Sequence, residues 1–443
     1  MFKKLSILLV MLFSQPTWAV LDIEITGGVV GEHPIAIVPF SWEVKSGGVA
    51  TDVSGVLSSD LSRTGKFALA DEKKFKERPH HGDEIDFDKW QSLGVESLVV
   101  GRVRPGEKGN FQIEFQLFDV YKRADASGGP TGPEYKLKQI IGYSLPSSPQ
   151  DLRRTAHYMS DLIYEALTGE KGIFTTRIAY ITAETKGKQK SYELQIADMD
   201  GHNPFTVLKS HEPIMSPSWS ADARQLAYVT FENKKSQIYV QQVDTGKRTL
   251  VSTQRGVNSA PSWSPDGKHL ALTLSRDGNL EIYSMDMNTR KLRRLTRNSA
   301  IDTEPTWSPD GKSIAFVSDR SGKPQVYKMS SSGGRAERVT FLGNYNSRPA
   351  FSPDGKKITM VHGNSEGYHI AILDMESGVV NILTDGKLDE SPSFAPNGST
   401  ILYATSSRNR GILSAVSADG KVKQRLVLQQ GDVREPSWAP YRK

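Results

Sequence analysis

The chain has 443 residues, no cysteine, 24% charged residues and a formal charge of +6. Disulfides are excluded, no Lys/Arg run is long enough for a nucleic-acid patch, and no stretch reaches the ~18 apolar residues of a membrane span. The length suits two or three domains.

Residues 1–19 read as a secretory signal: Lys3 and Lys4, an apolar run from Leu5 to Phe13, then Pro16-Thr-Trp-Ala with cleavage expected after Ala19. Loss of the two lysines lowers the charge to +4. Residues 20–33 form a separate arm. Leu21, Ile23 and Ile25 alternate with Asp22, Glu24 and Thr26, and Gly27, Gly28 and Gly31 follow. One reading is an edge strand of the next domain's sheet; the other is a detachable strand that pairs with a partner's sheet edge.

Residues 34–170 read as a small α/β domain. Pro34 to Phe40 is a buried strand, and Val53, Val56, Leu57 and Leu61 share one face of a helix. Lys66 to Ala70 is a strand, Asp86 to Leu93 a short helix around Trp90, and Glu96 to Val103 a third strand. Phe111 to Phe118 alternates strictly, as a half-exposed strand does. Lys136 to Tyr143 is a further strand after a Gly/Pro-rich loop. The clearest helix follows, with Ser148 expected as its N-cap, Pro149 at its first position and Gly169 as its stop.

Residues 171–443 repeat. Pro217-Ser-Trp-Ser-Ala-Asp, Pro261-Ser-Trp-Ser-Pro-Asp-Gly, Pro305-Thr-Trp-Ser-Pro-Asp-Gly, Pro349-Ala-Phe-Ser-Pro-Asp-Gly, Pro392-Ser-Phe-Ala-Pro-Asn-Gly and Pro436-Ser-Trp-Ala-Pro recur, their prolines 44, 44, 44, 43 and 44 residues apart. Each period holds four strand-like runs split by turns, which is one propeller blade. The first unit lacks its Pro-x-Trp strand and the last holds little else, so the two fragments make one blade. The reading is a six-bladed β-propeller, with the C-terminal strand innermost beside residues 177–182. Closure removes open sheet edges. The repeated aromatics, Trp219 to Trp438, are scaffold that packs against a neighbouring blade.

Three patterns that resemble chemistry read as structure. Gly363-Asn-Ser-Glu-Gly spells a nucleophile elbow but lies between two strands, not between strand and helix. His80-His-Gly-Asp-Glu is too compact to close a tetrahedral metal site. The Pro-Asp-Gly turns lack the spaced ligands of a calcium loop. No catalytic residue, metal or cofactor is expected.

The order of signal, Gly-rich arm, small α/β domain and six Pro-x-Trp-Ser-Pro-Asp-Gly blades resembles the TolB family of the periplasmic Tol–Pal system. Lys89-Trp-Gln-Ser-Leu-Gly-Val and Thr303-Glu-Pro-Thr-Trp strengthen the match, which covers nearly the whole chain. The resemblance implies a non-enzymatic protein that supports outer-membrane integrity and cell division. Its propeller mouth would bind the peptidoglycan-associated lipoprotein Pal, and its arm the inner-membrane protein TolA. Carried over by motif, the Pal-facing positions are Met215, Asn258, Ala260, Thr303, Glu304 and Glu390. The match departs at Val257, where the family commonly carries a histidine. The residues themselves point to the same mouth, because loops before each proline gather there with Asp302, Glu304, Asp389, Glu390 and Glu435 and with Arg348 and Arg434 among them. Mixed charge around a funnel suits a polar protein ligand. The alternative is a hydrolase-type propeller enzyme acting on a small ligand in the channel. It would need convergent acid/base residues on the inner strands.

Overall fold

The computed structural model describes residues 25–26, 31–43, 51–122, 133–407, 410–426 and 431–442. The expected signal at 1–19, and Leu21 and Ile23 of the arm, lie outside them. Among the described residues no helix is long and apolar enough to cross a membrane.

The α/β domain is one six-stranded sheet with helices. Its strands are β2 (His33–Ile37), β3 (Ser41–Trp42), β4 (Phe67–Leu69), β5 (Ser97–Pro105), β6 (Phe111–Asp119) and β7 (Gln139–Ser147), and β1 (Ile25–Thr26) lies elsewhere. The order is β4-β2-β5-β6-β7, with β3 also on β5; β2 runs parallel to β4 and β5, and β6 is antiparallel to both neighbours. Helices α1 (Val53–Arg63) and α4 (Leu152–Thr168) pack together over it, while α2 (Phe87–Gln91) and α3 (Glu134–Lys138) are single turns. The predicted apolar face of α1 is buried: Val53, Val56, Leu57 and Leu61 are at most 6% exposed. Gly169 ends α4 with φ of 73°, a left-handed cap that costs glycine nothing.

Two local expectations are corrected. The segment from Lys136 first makes the turn of α3, where Lys138 Nζ donates to the Val120 carbonyl at 2.8 Å, and the strand starts only at Gln139. Ser148 does not cap α4. Its hydroxyl donates to Asp151 Oδ2 at 2.7 Å and its carbonyl accepts the Asp151 N–H at 3.1 Å, so a local turn consumes those groups and the helix begins at Leu152.

Six four-stranded blades follow. Blade 1 pairs Phe205–Ser210, Gln189–Asp198 and Arg177–Lys186 with Asp432–Trp438, so the C-terminal strand closes the ring as its innermost strand. The first strands of blades 2 to 6 are Ile214–Trp219, Asn258–Trp263, Asp302–Trp307, Tyr345–Phe351 and Glu390–Phe394. Two of the repeated tryptophans tie their blade to the one before it: Trp219 Nε1 donates to the Ser437 carbonyl and Trp307 Nε1 to the Ser262 carbonyl, both at 3.1 Å. Gly363-Asn-Ser-Glu-Gly is a hairpin turn, in which Asn364 Oδ1 accepts the Glu366 and Gly367 N–H groups.

The arm strand β1 is not an edge of the α/β sheet. It is a fifth strand of blade 6, antiparallel to Lys423–Leu426, with Ile25 opposite Gln424 and Thr26 opposite Lys423. An outermost propeller strand has a free row of N–H and C=O groups, and a short strand satisfies part of that edge.

The α/β domain sits under blades 1 and 6, on the face where first strands end. One core runs through both domains, from Ile35, Leu61 and Phe174 to Met199, Leu402 and Trp438. A second link lies in the repeat's own irregularity. In blades 3 to 5 the turn aspartate accepts the hydroxyl of the serine two residues earlier, as Ser264 to Asp266 at 2.5 Å. Blade 6 has Asn397 instead, and its amide donates to the Lys171 carbonyl at 3.0 Å.

Candidate functional site

The opposite face is the mouth, where every first strand begins. Proline there has no N–H for the ladder, so the strand must bulge around it. All six first strands shift register at that point, for example between Thr303 and Thr306. The residue before each proline then takes a left-handed conformation: Ser216, Ala260, Glu304, Arg348, Ser391 and Glu435 have φ between 46° and 55°. None is glycine, and each such residue costs about 1–3 kcal/mol that the ring must offset. Bulges re-aim side chains, and three of these, Glu304, Arg348 and Glu435, meet from different blades at the channel.

Three of the six form a brace across it. Arg348 Nε lies 3.1 Å from Glu304 Oε1, and Arg348 Nη1 lies 3.5 Å from Glu435 Oε2. Each carboxylate also accepts the N–H of the left-handed residue in the following blade: Arg348 N to Glu304 at 2.8 Å, and Ser216 N to Glu435 at 2.6 Å. Burial opposes the Arg348 charge, but Glu435, Glu304 and Glu390 outweigh it and push its pKa up. Glu390 is pushed up too, by burial first and by Glu435, against the pull of Arg348. The wall thus carries three carboxyl groups around one guanidinium.

The sequence-derived positions divide. Met215 is exposed at the rim. Thr303, Glu304, Arg348, Ala260 and Glu390 are partly exposed along the wall, with Glu304 and Arg348 committed to each other. Asn258 is a correction: it is fully buried. Its amide accepts from Ser252 Oγ at 2.7 Å and Gln254 N at 2.8 Å and donates to the Gln254 carbonyl, so it staples its own loop and has no surface for a partner. Asp302 and Asp389 of the expected charged ring are buried as well; Asp302 takes both oxygens to Arg320 Nη2 at 2.9 Å.

What sequence reasoning missed is apolar exposure, that of Val257 included, which stood there only as a departure from the family. Val257, Ile301 and Leu388, each the residue just before a buried position of this kind, stand exposed, and so do Tyr368 and the tip Phe341-Leu342. Phe341 is 74% exposed. They lie in or next to the loops around a charged funnel, and Tyr368 pairs directly with Leu388. Val257, Ile301 and Leu388 each stand four places before a repeat proline, but only the fold shows that these positions share one mouth.

Among the described residues, one set of possible ligand atoms is close enough for a metal: Asp60, His157 and Asp200, within 4.8 Å at the domain seam. Two guanidiniums already act on its Asp200 carboxylate. Arg153 donates to Asp200 Oδ2, and the charge of Arg63 acts on Asp200 as well. A dication there would add to positive charge already in place, so these are not read as ligands.

The family model described as the TolB beta propeller domain matches residues 164–442, and that described as the TolB amino-terminal domain matches 21–126. The Tol-Pal system protein TolB of Nitrosococcus oceani is 59% identical over 437 residues, 98% of this chain and 96% of that one. That of Thioalkalivibrio sulfidiphilus is 57% identical over 96% of this chain and 94% of its own length. The crystal structure of TolB from Acinetobacter baumannii covers 95% of this chain and is itself covered completely, with 41% identity and a TM-score of 0.84. By domain models, sequence and fold, the chain belongs to the TolB family.

Proposed function

We propose that the protein is a non-enzymatic, periplasmic docking component of the Tol–Pal system, exported by cleavage after Ala19. Its mouth binds the lipoprotein Pal, its arm over residues 20–33 serves TolA, and the pair of contacts supports outer-membrane integrity and constriction at division. The observation that carries this reading is the exposed apolar rim around the braced channel. Contiguous exposed apolar surface edged by polar groups marks a protein-docking site. The rim would supply buried area and the wall carboxylates orientation, the usual division between the core of an interface and its polar contacts. Partner-facing roles therefore fall to Met215, Val257, Ile301, Thr303, Phe341 and Leu388, with Ala260, Glu304, Arg348 and Glu390 deeper in the funnel.

The hydrolase alternative gains no support from the wall. The position before each proline carries Ser, Ala, Glu, Arg, Ser and Glu, and its carboxylates are held by Arg348 and by backbone N–H groups. The test is calorimetry of the mature protein with purified Pal. Thr303→Arg and Val257→Glu are expected to weaken binding at least tenfold while a 20–33 deletion leaves the propeller folded and abolishes capture of TolA. Full-strength Pal binding by both point variants would remove the mouth as the site.

A further inference from the structure

The seam between the domains holds buried ionisable groups that the docking reading does not use. His157 on α4 is 2% exposed. Its Nδ1 lies 2.7 Å from Asp60 Oδ2 on α1, and its Nε2 lies 3.6 Å from Asp200 Oδ2 in the turn of blade 1. Asp60 and Asp200 are at most 1% exposed. Three structural elements, two in one domain and one in the other, thus converge on one imidazole.

The ring's surroundings discriminate between its protonation states. A neutral imidazole keeps one N–H and turns a lone pair outward from the other nitrogen. Here both nitrogens face carboxylate oxygens, so either neutral tautomer sets a lone pair against an anion. Only the imidazolium places positive charge beside both, with a hydrogen bond from Nδ1 to Asp60 and an ion-pair contact, longer than a hydrogen bond, from Nε2 to Asp200. We propose that His157 is a proton-operated latch between the α/β domain and the propeller, its imidazolium bridging Asp60 and Asp200, with loss of the proton loosening that seam.

The remaining charges around the ring fit this assignment. From α4, Arg153 donates to Asp200 and approaches His202 Nδ1 at 3.0 Å, and the Asp161 carboxyl, one turn on, accepts the Phe174 N–H at 2.8 Å. From α1, Arg63 is buried and donates to the Met199 sulfur at 3.2 Å. From blade 1, His202 Nδ1 lies 3.1 Å from Asp200. Burial opposes the charge on His157, and Arg153 repels it, but Asp60 and Asp200 outweigh both and raise its pKa. Asp200, despite burial, is held well below the usual carboxylate range by the His202 contact and by Arg63, His157 and Arg153, so it stays an anion across the working range. The sign follows: a histidine raised in the folded state stabilises fully below its unfolded value of about 6.5, and the contribution fades as pH rises through the folded value. Alkaline conditions open the latch.

The experiment uses the whole mature protein. His157 is titrated by NMR of its ring carbons, and seam opening is followed by hydrogen exchange at Met199, Gly201 and Phe174, corrected for intrinsic rates. The expected result is a His157 midpoint above 6.5, lowered in Asp200→Asn, and seam protection that falls at least fivefold between pH 6 and pH 9. In His157→Gln the protection should be flat across that range. A wild-type midpoint at or below 6.5, or seam protection independent of pH, overturns the latch, and neither readout depends on the variants folding. Protection that zinc raises and a chelator abolishes overturns it too, by making the cluster a metal site.

Discussion

At the mouth, the six first strands begin with residues that differ from blade to blade and stand in solvent or on the channel wall. At the opposite face the same strands end in turns that are either capped by their own aspartate or covered by the α/β domain. One repeat therefore serves two surfaces. Covering is achieved by small departures, Asn397 for aspartate and Ala395 for serine in blade 6, that convert a self-capped turn into one that bonds and packs against another domain. Display is achieved by letting the residues before each proline vary freely. A scaffold position is thus marked by its repetition, and an interface by its exception.

Substitutions should separate the two faces by size of effect. The largest is expected at the covered face. Trp438→Ala removes a side chain that is 6% exposed and donates to Thr176 Oγ1 at 2.8 Å, and urea denaturation should show a loss of about 3–5 kcal/mol. Next comes the brace. Arg348→Ala leaves Glu304 and Glu435 facing each other with no cation between them, and the same measurement should give about 1–3 kcal/mol. Asn397→Asp restores the repeat but sets a carboxylate against the Lys171 carbonyl; about 1 kcal/mol should be lost, and a smaller loss would mean that core packing alone docks the domains. Glu390→Gln tests the wall by pH. Burial raises this acid in the folded state, so folding is penalised as pH climbs above the unfolded carboxyl value. The variant should melt higher than the parent at pH 7 and equally at pH 4. The smallest effect on stability belongs to the rim: Phe341→Ala should change it by less than about 0.5 kcal/mol while weakening Pal binding. A rim variant that unfolds the protein would erase the contrast.

The sequence carried much of this. Proline spacing identified six blades, and the two incomplete end units identified how the ring closes, because three strands at one end and a lone strand at the other complete one blade. The apolar face of α1 was legible because a helix that buries one stripe must repeat it every three to four residues. The site was legible only in part. The positions before each proline were the right place to look, yet Asn258 and Asp302 at those positions point into the blades and stabilise loops, and a polar side chain looks the same in sequence whether it faces a partner or its own backbone. Val257, Ile301 and Leu388 shared a position four before a proline, but an exposed apolar residue and a buried one are the same letter, so their exposure was not legible.

The sequence by itself determined period, blade number, closure and domain order, all of which follow from local propensity and repetition along one chain. Three things depended on tertiary structure. The arm strand lies on blade 6 rather than on the α/β sheet, because sheet edges compete for a strand and only the fold shows which edge is open. Val257, Ile301 and Leu388, each four positions before a repeat proline, come to one mouth, because ring closure brings blades about 44 residues apart side by side. Asp200 meets the Asp60–His157 pair, because only the docking of two domains brings the turn of blade 1 against the two helices.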